Sequence, residues 1–231
     1  MATTRLQLIK NVALHMDEVS PDITISGITI DGSDNNPLYA LIDGLVDAGA
    51  LELFSVAPYW RLPQTAFSGI DVGSMPASYG SRRYIRLRVP DDFLRVAEID
   101  CTSFQRPITE VVPEVSDMGK RQHNRYLMGK EAKPVGVMSH GIWGTGVDAE
   151  SCREIDCYSI PSGSSIPSVK ASYIARPYMP DINSNDDIED DVIPAVLIPA
   201  LEWLIAARTF GARGDANHAA ICQQNAQNLL V

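Results

Sequence analysis

The chain has 231 residues, 45% of them hydrophobic, enough to bury a core and too apolar for a disordered or small disulfide-held protein. Its formal net charge of -10 argues against a dedicated nucleic-acid binder, which carries a basic footprint to displace counterions from phosphate. No apolar run approaches the roughly 20 residues that span a bilayer, and Met1 to Lys10 lacks the basic-then-apolar layout of a signal peptide, so folding in a reducing cytoplasm with no membrane partner is expected.

From the N-terminus, Leu6, Ile9, Ala13 and Leu14 recur at helical spacing and predict a helix over Thr4 to Val19, capped by Thr3 or Thr4 and ended by Ser20-Pro21. Ile23 to Ile30 alternates Ile with Thr, Ser and Gly and predicts a short strand or extended arm. A second helix is signposted by Asn36 as N-cap and Pro37 in the first position, with Leu38, Leu41, Ile42, Leu45 and Val46 as its stripe, running to about Phe54. Ser55 to Ser81, punctuated by Pro and Gly among aromatics, predicts a long loop.

The middle of the chain is β-rich. In Arg82 to Val89, Tyr84, Arg86 and Arg88 alternate with Ile85, Leu87 and Val89, a half-buried strand with a basic outer face. Pro90-Asp91-Asp92 makes a turn into a strand from Phe93 to Cys101, and Gln105 to Val112 predicts an edge strand because of Pro107. Glu114 to Leu127 predicts a short polar helix, and Val135 to Ser139, Arg153 to Ile160 and Val169 to Arg176 complete the strands. A compact antiparallel sheet or sandwich follows.

Helix returns at the C-terminal end. Val192 to Phe210 carries Leu197, Leu201, Leu204, Ile205 and Ala206, tolerates Pro194 in its first turn and is bent or restarted at Pro199. Gly211 and Gly214 break the chain, Asp215 caps a last helix, and Ala219, Cys222, Ala226 and Leu229 form its apolar stripe. The expected fold is α+β: a helical bundle from residues 1–54 and 192–231 with an antiparallel β-sheet or sandwich, 82–176, inserted between them. Residues 55–81 and 177–191 serve as loops or connectors.

Side chains with chemical potential point away from catalysis. Cys152 and Cys157, five apart, face opposite sides of a strand, so Cys101, Cys152, Cys157 and Cys222 are expected as free thiols. His15, His123, His140 and His218 read as surface or capping residues; only His218 and Cys222 have i, i+4 spacing, with no further ligand type near. Gly141 to Gly146 lacks the Lys-Ser/Thr of a phosphate loop, and Ser162 to Ser165 lacks the flanking glycines of a nucleophile elbow. Asp181, Asn183 and Asn185 occupy the first, third and fifth places of a calcium loop, but Asp186 replaces the turn glycine and Val192 the closing glutamate. Lys120 to Lys133, with Arg121, Arg125, Lys130 and Tyr126, reads as a solvated or partner-facing helix with some capacity for phosphate. No enzyme activity, metal or cofactor is expected.

Three segments carry a family likeness: "VPDDFLRV" at the first turn of the β-rich part, "KASYIARPYMPD" late in it, and "VIPAVLIPALEWLIAARTFGARGD" from Val192 to Asp215 after an acidic approach. Together they resemble the head-to-tail adaptor proteins of tailed bacteriophages, closest to the ring proteins of crAss-like and short-tailed phages. The likeness covers mainly Arg82 to Asp100 and Ser168 to Val231. It implies a virion protein at the head-tail junction, forming a ring of about twelve copies beneath the portal, with other neck or tail proteins below and DNA passing through without specific binding. A heterologous ring needs two complementary patches per subunit, and the expected pair is Arg82, Arg83, Arg86 and Arg88 against Asp186, Asp187, Glu189, Asp190 and Asp191. Portal contact is expected on the last helix at Gln223, Gln224, Gln227 and Asn228. The loop at Ser55 to Ser81 and the insert at Lys120 to Ser165 exceed a minimal adaptor. The alternative is a small β-sandwich binding module for glycan or protein, with Tyr59, Trp60 and Trp143 as a platform.

Overall fold

A computed structural model describes residues 3–19, 37–74, 83–124, 126–143, 150–160, 168–180, 187–188 and 192–230. The elements run β1 (Thr3–Thr4), α1 (Arg5–Val19), α2 (Pro37–Val56), β2 (Thr65–Ala66), β3 (Ile70–Ser74), β4 (Arg83–Arg88), β5 (Phe93–Cys101) and β6 (Val111–Pro113). They continue with α3 (Asp117–Gln122), β7 (Gly136–Trp143), β8 (Glu150–Ile160), β9 (Val169–Ala175), β10 (Asp187–Ile188), α4 (Ile198–Ala212) and α5 (Ala216–Leu230). The fold class is α+β, in two compact units: Met1–Pro63 with Arg176–Val231, and Gln64–Ala175. The strand expected at Ile23 to Ile30 and the Asn36 cap lie outside the described residues.

In the helical unit α4 is the hub, packing against α1, α2 and α5. Pro194 precedes a 3-10 turn, Ala195–Leu197, and Pro199 sits in the first turn of α4, so the helix restarts where proline has no amide to donate. Ala195–Ala212 is 18 residues with a mean hydropathy of 1.4, apolar and long enough by composition to cross a bilayer, contrary to the sequence reading. Here Leu197, Leu201, Leu204, Ile205 and Phe210 are buried core. Gly49 of α2 lets that helix close on α4, since a Cβ there would lie 2.6 Å from Cγ1 of Ile205.

The apolar stripes are displaced from their expected positions. In α1 the buried set is Leu8, Ile9, Val12, Ala13 and Met16, while Leu14 is exposed. In α2 burial falls on Ile42, Val46, Gly49, Ala50, Leu53 and Phe54, and in α5 on Cys222, Ala226 and Leu230 in place of Leu229. Capping follows the sequence more closely. Oγ1 of Thr4 accepts the Gln7 amide at 3.1 Å, and Oδ1 of Asp215 accepts the His218 amide at 3.2 Å after Gly214, whose φ is +83°.

Two partly buried polar clusters tie the helices. Arg5 donates to Asp43 at 2.6 Å, to the Asp43 carbonyl at 3.0 Å, to the Pro180 carbonyl at 3.2 Å and to Asp47 at 3.3 Å. Burial works against the Arg5 charge, but the two aspartates outweigh it and hold its pKa above the ordinary arginine value. On α4 the buried Glu202 accepts from Nδ2 of Asn11 at 2.7 Å and meets Nε2 of His15 at 3.0 Å, with the His15 ring stacked on Trp203. His15 is therefore a half-buried packing residue.

The β unit is a two-layer sandwich. One sheet has the order β2-β9-β5 and the other β3-β4-β8-β7-β6. Phe67, Ile85, Leu87, Phe93, Val96, Ile99, Ile155, Cys157 and Tyr173, from both sheets, form one core. The Pro90 turn, closed by the Phe93 amide on the Pro90 carbonyl at 3.2 Å, moves the chain from β4 in one sheet to β5 in the other. Four expectations are corrected. Residues 55–81 are not one loop, since β2 and β3 form there and β3 extends the ladder of β4. The larger sheet is mixed, because β6 pairs parallel with β7. In the Gln105 to Val112 region only an Ile99–Ile108 bridge and the short β6 form. The helix expected over Glu114 to Leu127 spans only Asp117–Gln122, capped by Ser116.

Candidate functional site

The basic outer face of β4 is the strongest chemical feature of the β unit. Period-two alternation buries Ile85 and Leu87 and leaves Arg86 and Arg88 on the outer side. Register then places Arg86 opposite Asp156 and Arg88 opposite Glu154 on β8. Arg86 grips Asp156 with two hydrogen bonds, Nε to Oδ1 at 2.8 Å and Nη2 to Oδ2 at 3.1 Å, and its Nε lies 3.2 Å from Oε2 of Glu154. Tyr158 donates its hydroxyl to Asp156 at 2.9 Å, and the guanidinium lies 5.2 Å from the Tyr84 ring centroid.

This is a buried cluster on the outside of a sheet, with Glu154 only 1% exposed. The hydrogen bond to Asp156 is the main cause that raises the Arg86 pKa further above its high ordinary value, against the opposing effect of burial. Burial pushes the Glu154 carboxyl up, Arg86 pulls it down by less, and Asp156 adds to the rise. Burial and then Asp156 raise the Tyr158 phenol. Among the described residues Oε1 of Glu154 has no hydrogen-bond partner, and a side chain at Gly141 would overlap this carboxylate.

Arg86 had been expected to seek its acidic partner on a neighbouring subunit; it finds two within its own sheet. Glu154 and Asp156 were missed, although the alternation Glu154, Asp156, Tyr158 against Ile155 and Cys157 marks a polar outer face. Arg83 is half-buried and Arg88 exposed. Arg82, Asp186, Glu189, Asp190 and Asp191 lie outside the described residues, while Asp187 is described only through its backbone, paired with Thr4.

Arg88 also lines a cleft of about 890 Å³ with Asp91, His140, Cys152 and Arg153. His140 and Arg153 are cross-strand partners on β7 and β8, and the Arg153 guanidinium lies 5.9 Å from the Phe93 ring centroid. Two guanidiniums, an imidazole and one carboxylate thus line the cleft, a balance that suits an anionic group.

In the helical unit Gln223, Gln224, Gln227 and Asn228 are all exposed on α5. Gln223 and Gln227 border a groove of about 290 Å³ with Glu52, Val56, Leu204 and Leu230. Tyr59 and Trp60 meet edge to face, but they belong to the helical unit and not to the sandwich, and the side chain of Trp143 lies outside the described residues. Cys222 is buried, its thiol pushed up to about 11 by burial. The four cysteines are free thiols, Cys152 only half-buried. His218 bonds to Asp215, which this contact holds below the usual carboxylate range. Among the described residues no group of three or more His, Cys, Asp or Glu side chains is placed to hold a metal. The calcium-like run from Asp181 to Asp186, the Ser162 to Ser165 run and Gly144 to Gly146 lie outside the described residues.

In comparison with known proteins, no family model matches the chain and no curated protein matches it.

Proposed function

We propose that this chain is a structural subunit of a tailed-phage virion, a head-to-tail adaptor that forms a ring beneath the portal and works by assembly, not by turnover. The observation that carries the reading is where the resembling segments fall. "VPDDFLRV" is the turn that passes the chain between the two sheets, and "KASYIARP" is β9, the partner of β5. "VIPAVLIPALEWLIAARTFGARGD" holds the hub helix α4. The likeness thus rests on the architectural centre of each unit and not on exchangeable loops. The acidic balance suits a channel for DNA, because carboxylates on a wall repel phosphates over a Debye length of roughly 8 to 10 Å.

The basic side of the subunit contact is the set Arg82, Arg83, Arg86 and Arg88, with Arg86 also held within its own sheet, facing the acidic run Asp186 to Asp191 of the neighbour. The test is negative-stain imaging and mass photometry of the purified chain, alone and mixed with portal rings from the genome that encodes it. Closed rings are expected in at least the second condition. A chain that stays monomeric in both overturns the reading. The cleft at Arg88, His140 and Arg153 favours a second reading, a monomeric module that binds an anionic glycan or protein segment; saturable binding of such a ligand by a chain that never assembles would establish it.

A further inference from the structure

Between β6 and β7 the chain makes an excursion around α3 that exposes four large apolar side chains. Val115 is 78% exposed, Met118 49%, Tyr126 76% and Leu127 59%. Exposure of this density within a dozen residues of sequence marks an interaction surface more often than chance.

Hydrogen bonds tie the described backbone that presents them. Gln122 is buried, donates Nε2 to the Met118 carbonyl at 3.0 Å and accepts the Gly129 amide on Oε1 at 2.7 Å, so it cross-links the excursion through its middle. Met128 is buried beside it, and Gly129 sits so close that a Cβ would lie 2.7 Å from Oγ of Ser159 on β8. Oγ of Ser116 caps α3 through the Gly119 amide at 3.0 Å, and a Lys130–Lys133 bridge closes the far end. A loop already ordered in this way loses little conformational entropy when a partner covers it.

Charge identifies the partner. Lys120, Arg121, Lys130 and Lys133 are exposed in the same excursion. Residues 114–133 hold five Lys or Arg against Glu114, Asp117 and Glu131, a net +2 that leaves -12 on the remainder of the -10 chain. A basic, apolar surface on an acidic protein is complementary to another copy of that protein. Duplex DNA would engage the cations alone and leave Val115, Met118 and Leu127 uncovered.

We infer that this excursion is a preformed docking surface for acidic side chains of a second copy of the chain. Identifying that copy as the ring neighbour rests on the adaptor reading; the self-contact does not. The experiment places a benzophenone photo-crosslinking amino acid at the exposed position 127 of the full chain and mixes two differently tagged preparations. A product carrying both tags is expected, falling several-fold in high salt and in the Lys120→Glu/Arg121→Glu variant, whose folding is checked by circular dichroism. Three results overturn the inference: no doubly tagged product, a yield indifferent to charge reversal, or cross-linking that goes to an added DNA duplex and not to protein. Imaging the same samples separates the two ideas. Rings that form as well with the charge-reversed chain overturn the identification of the second copy as the ring neighbour and leave the ring, whereas salt-sensitive self-cross-linking without rings supports the docking surface and overturns the ring.

Discussion

Glu154 and Asp156 are two carboxylates buried on one sheet face and held chiefly by the single guanidinium of Arg86. Among the described residues, removing that guanidinium leaves Asp156 with the Tyr158 hydroxyl and takes away the cation that Glu154 contacts. Arg86→Met is expected to cost about 3 kcal/mol in denaturant unfolding, the lower end of the range for breaking a buried pair because Arg86 itself is partly solvated. A loss under about 0.5 kcal/mol, the size of a surface substitution, would show that the pair is not held as described. Glu154 behaves in the opposite sense. Its pKa is raised above 4.5, chiefly by burial, so between that value and the raised one the folded state keeps a proton that the unfolded state releases. Stability therefore falls as pH rises through this window. Glu154→Gln removes the dependence: the variant is expected to exceed the wild type at mildly alkaline pH, with the gap closing toward the ordinary carboxylate pKa. Melting temperatures of the two proteins across that range decide it, and parallel curves would refute it.

At the scale of elements, two glycines in α2 make opposite predictions from the same substitution. Gly44 has open space around it, so Gly44→Ala gains helix propensity and is expected to stabilise by up to about 1 kcal/mol. Gly49 faces the inner carbon of Ile205, which cannot swing aside as a chain end can, so Gly49→Ala is expected to destabilise by roughly 1 to 2 kcal/mol despite the same propensity gain. Equal melting shifts from the two substitutions would mean that α2 and α4 do not approach as closely as here. The contrast also marks what was legible in the sequence. Strand alternation in β4, the proline restart of α4 and the Asp215 cap are local signals, and they appear where the pattern puts them. The stripe of α1 slipped because Leu6 and Leu14 share the helical spacing of Ile9 and Ala13, whereas packing against α4 and α2 buries Leu8, Val12 and Met16 beside those two. Glu202 reads as a polar interruption of an apolar run, and its burial depends on Asn11 and His15 nearly two hundred residues earlier. The partners of Arg86 were hidden for the same reason, since a register between β4 and β8 spans 70 residues.

At the scale of the whole chain, the β unit is an insertion whose two ends are neighbours. The chain enters at Gln64 and leaves at Ala175, and β2 and β9, next to those points, are paired with Thr65 opposite Tyr173. Cross-strand partners of this kind have Cα atoms about 5 Å apart, so a short link can replace everything between them. Among the described residues, the core from Phe67 to Tyr173 is built from residues of Gln64–Ala175. A domain with its own core and adjacent ends can be excised in this way. A fragment of Gln64–Ala175 is expected to unfold cooperatively and to keep the near-ultraviolet signal of Phe67, Phe93 and Tyr173, whose ring centroids lie 4.9 to 6.2 Å apart. The complementary chain, with a Gly/Ser link from Pro63 to Arg176, is expected to retain its helical circular dichroism, because α4 meets α1, α2 and α5 within that unit. If the fragment shows only a broad, non-cooperative transition, the sandwich draws stability from beyond its own core and the insertion is one of topology alone. If it folds, the charge-reversed α3 excursion can be compared in the isolated sandwich and in the full chain, which locates the acidic side chains it meets on one unit or the other.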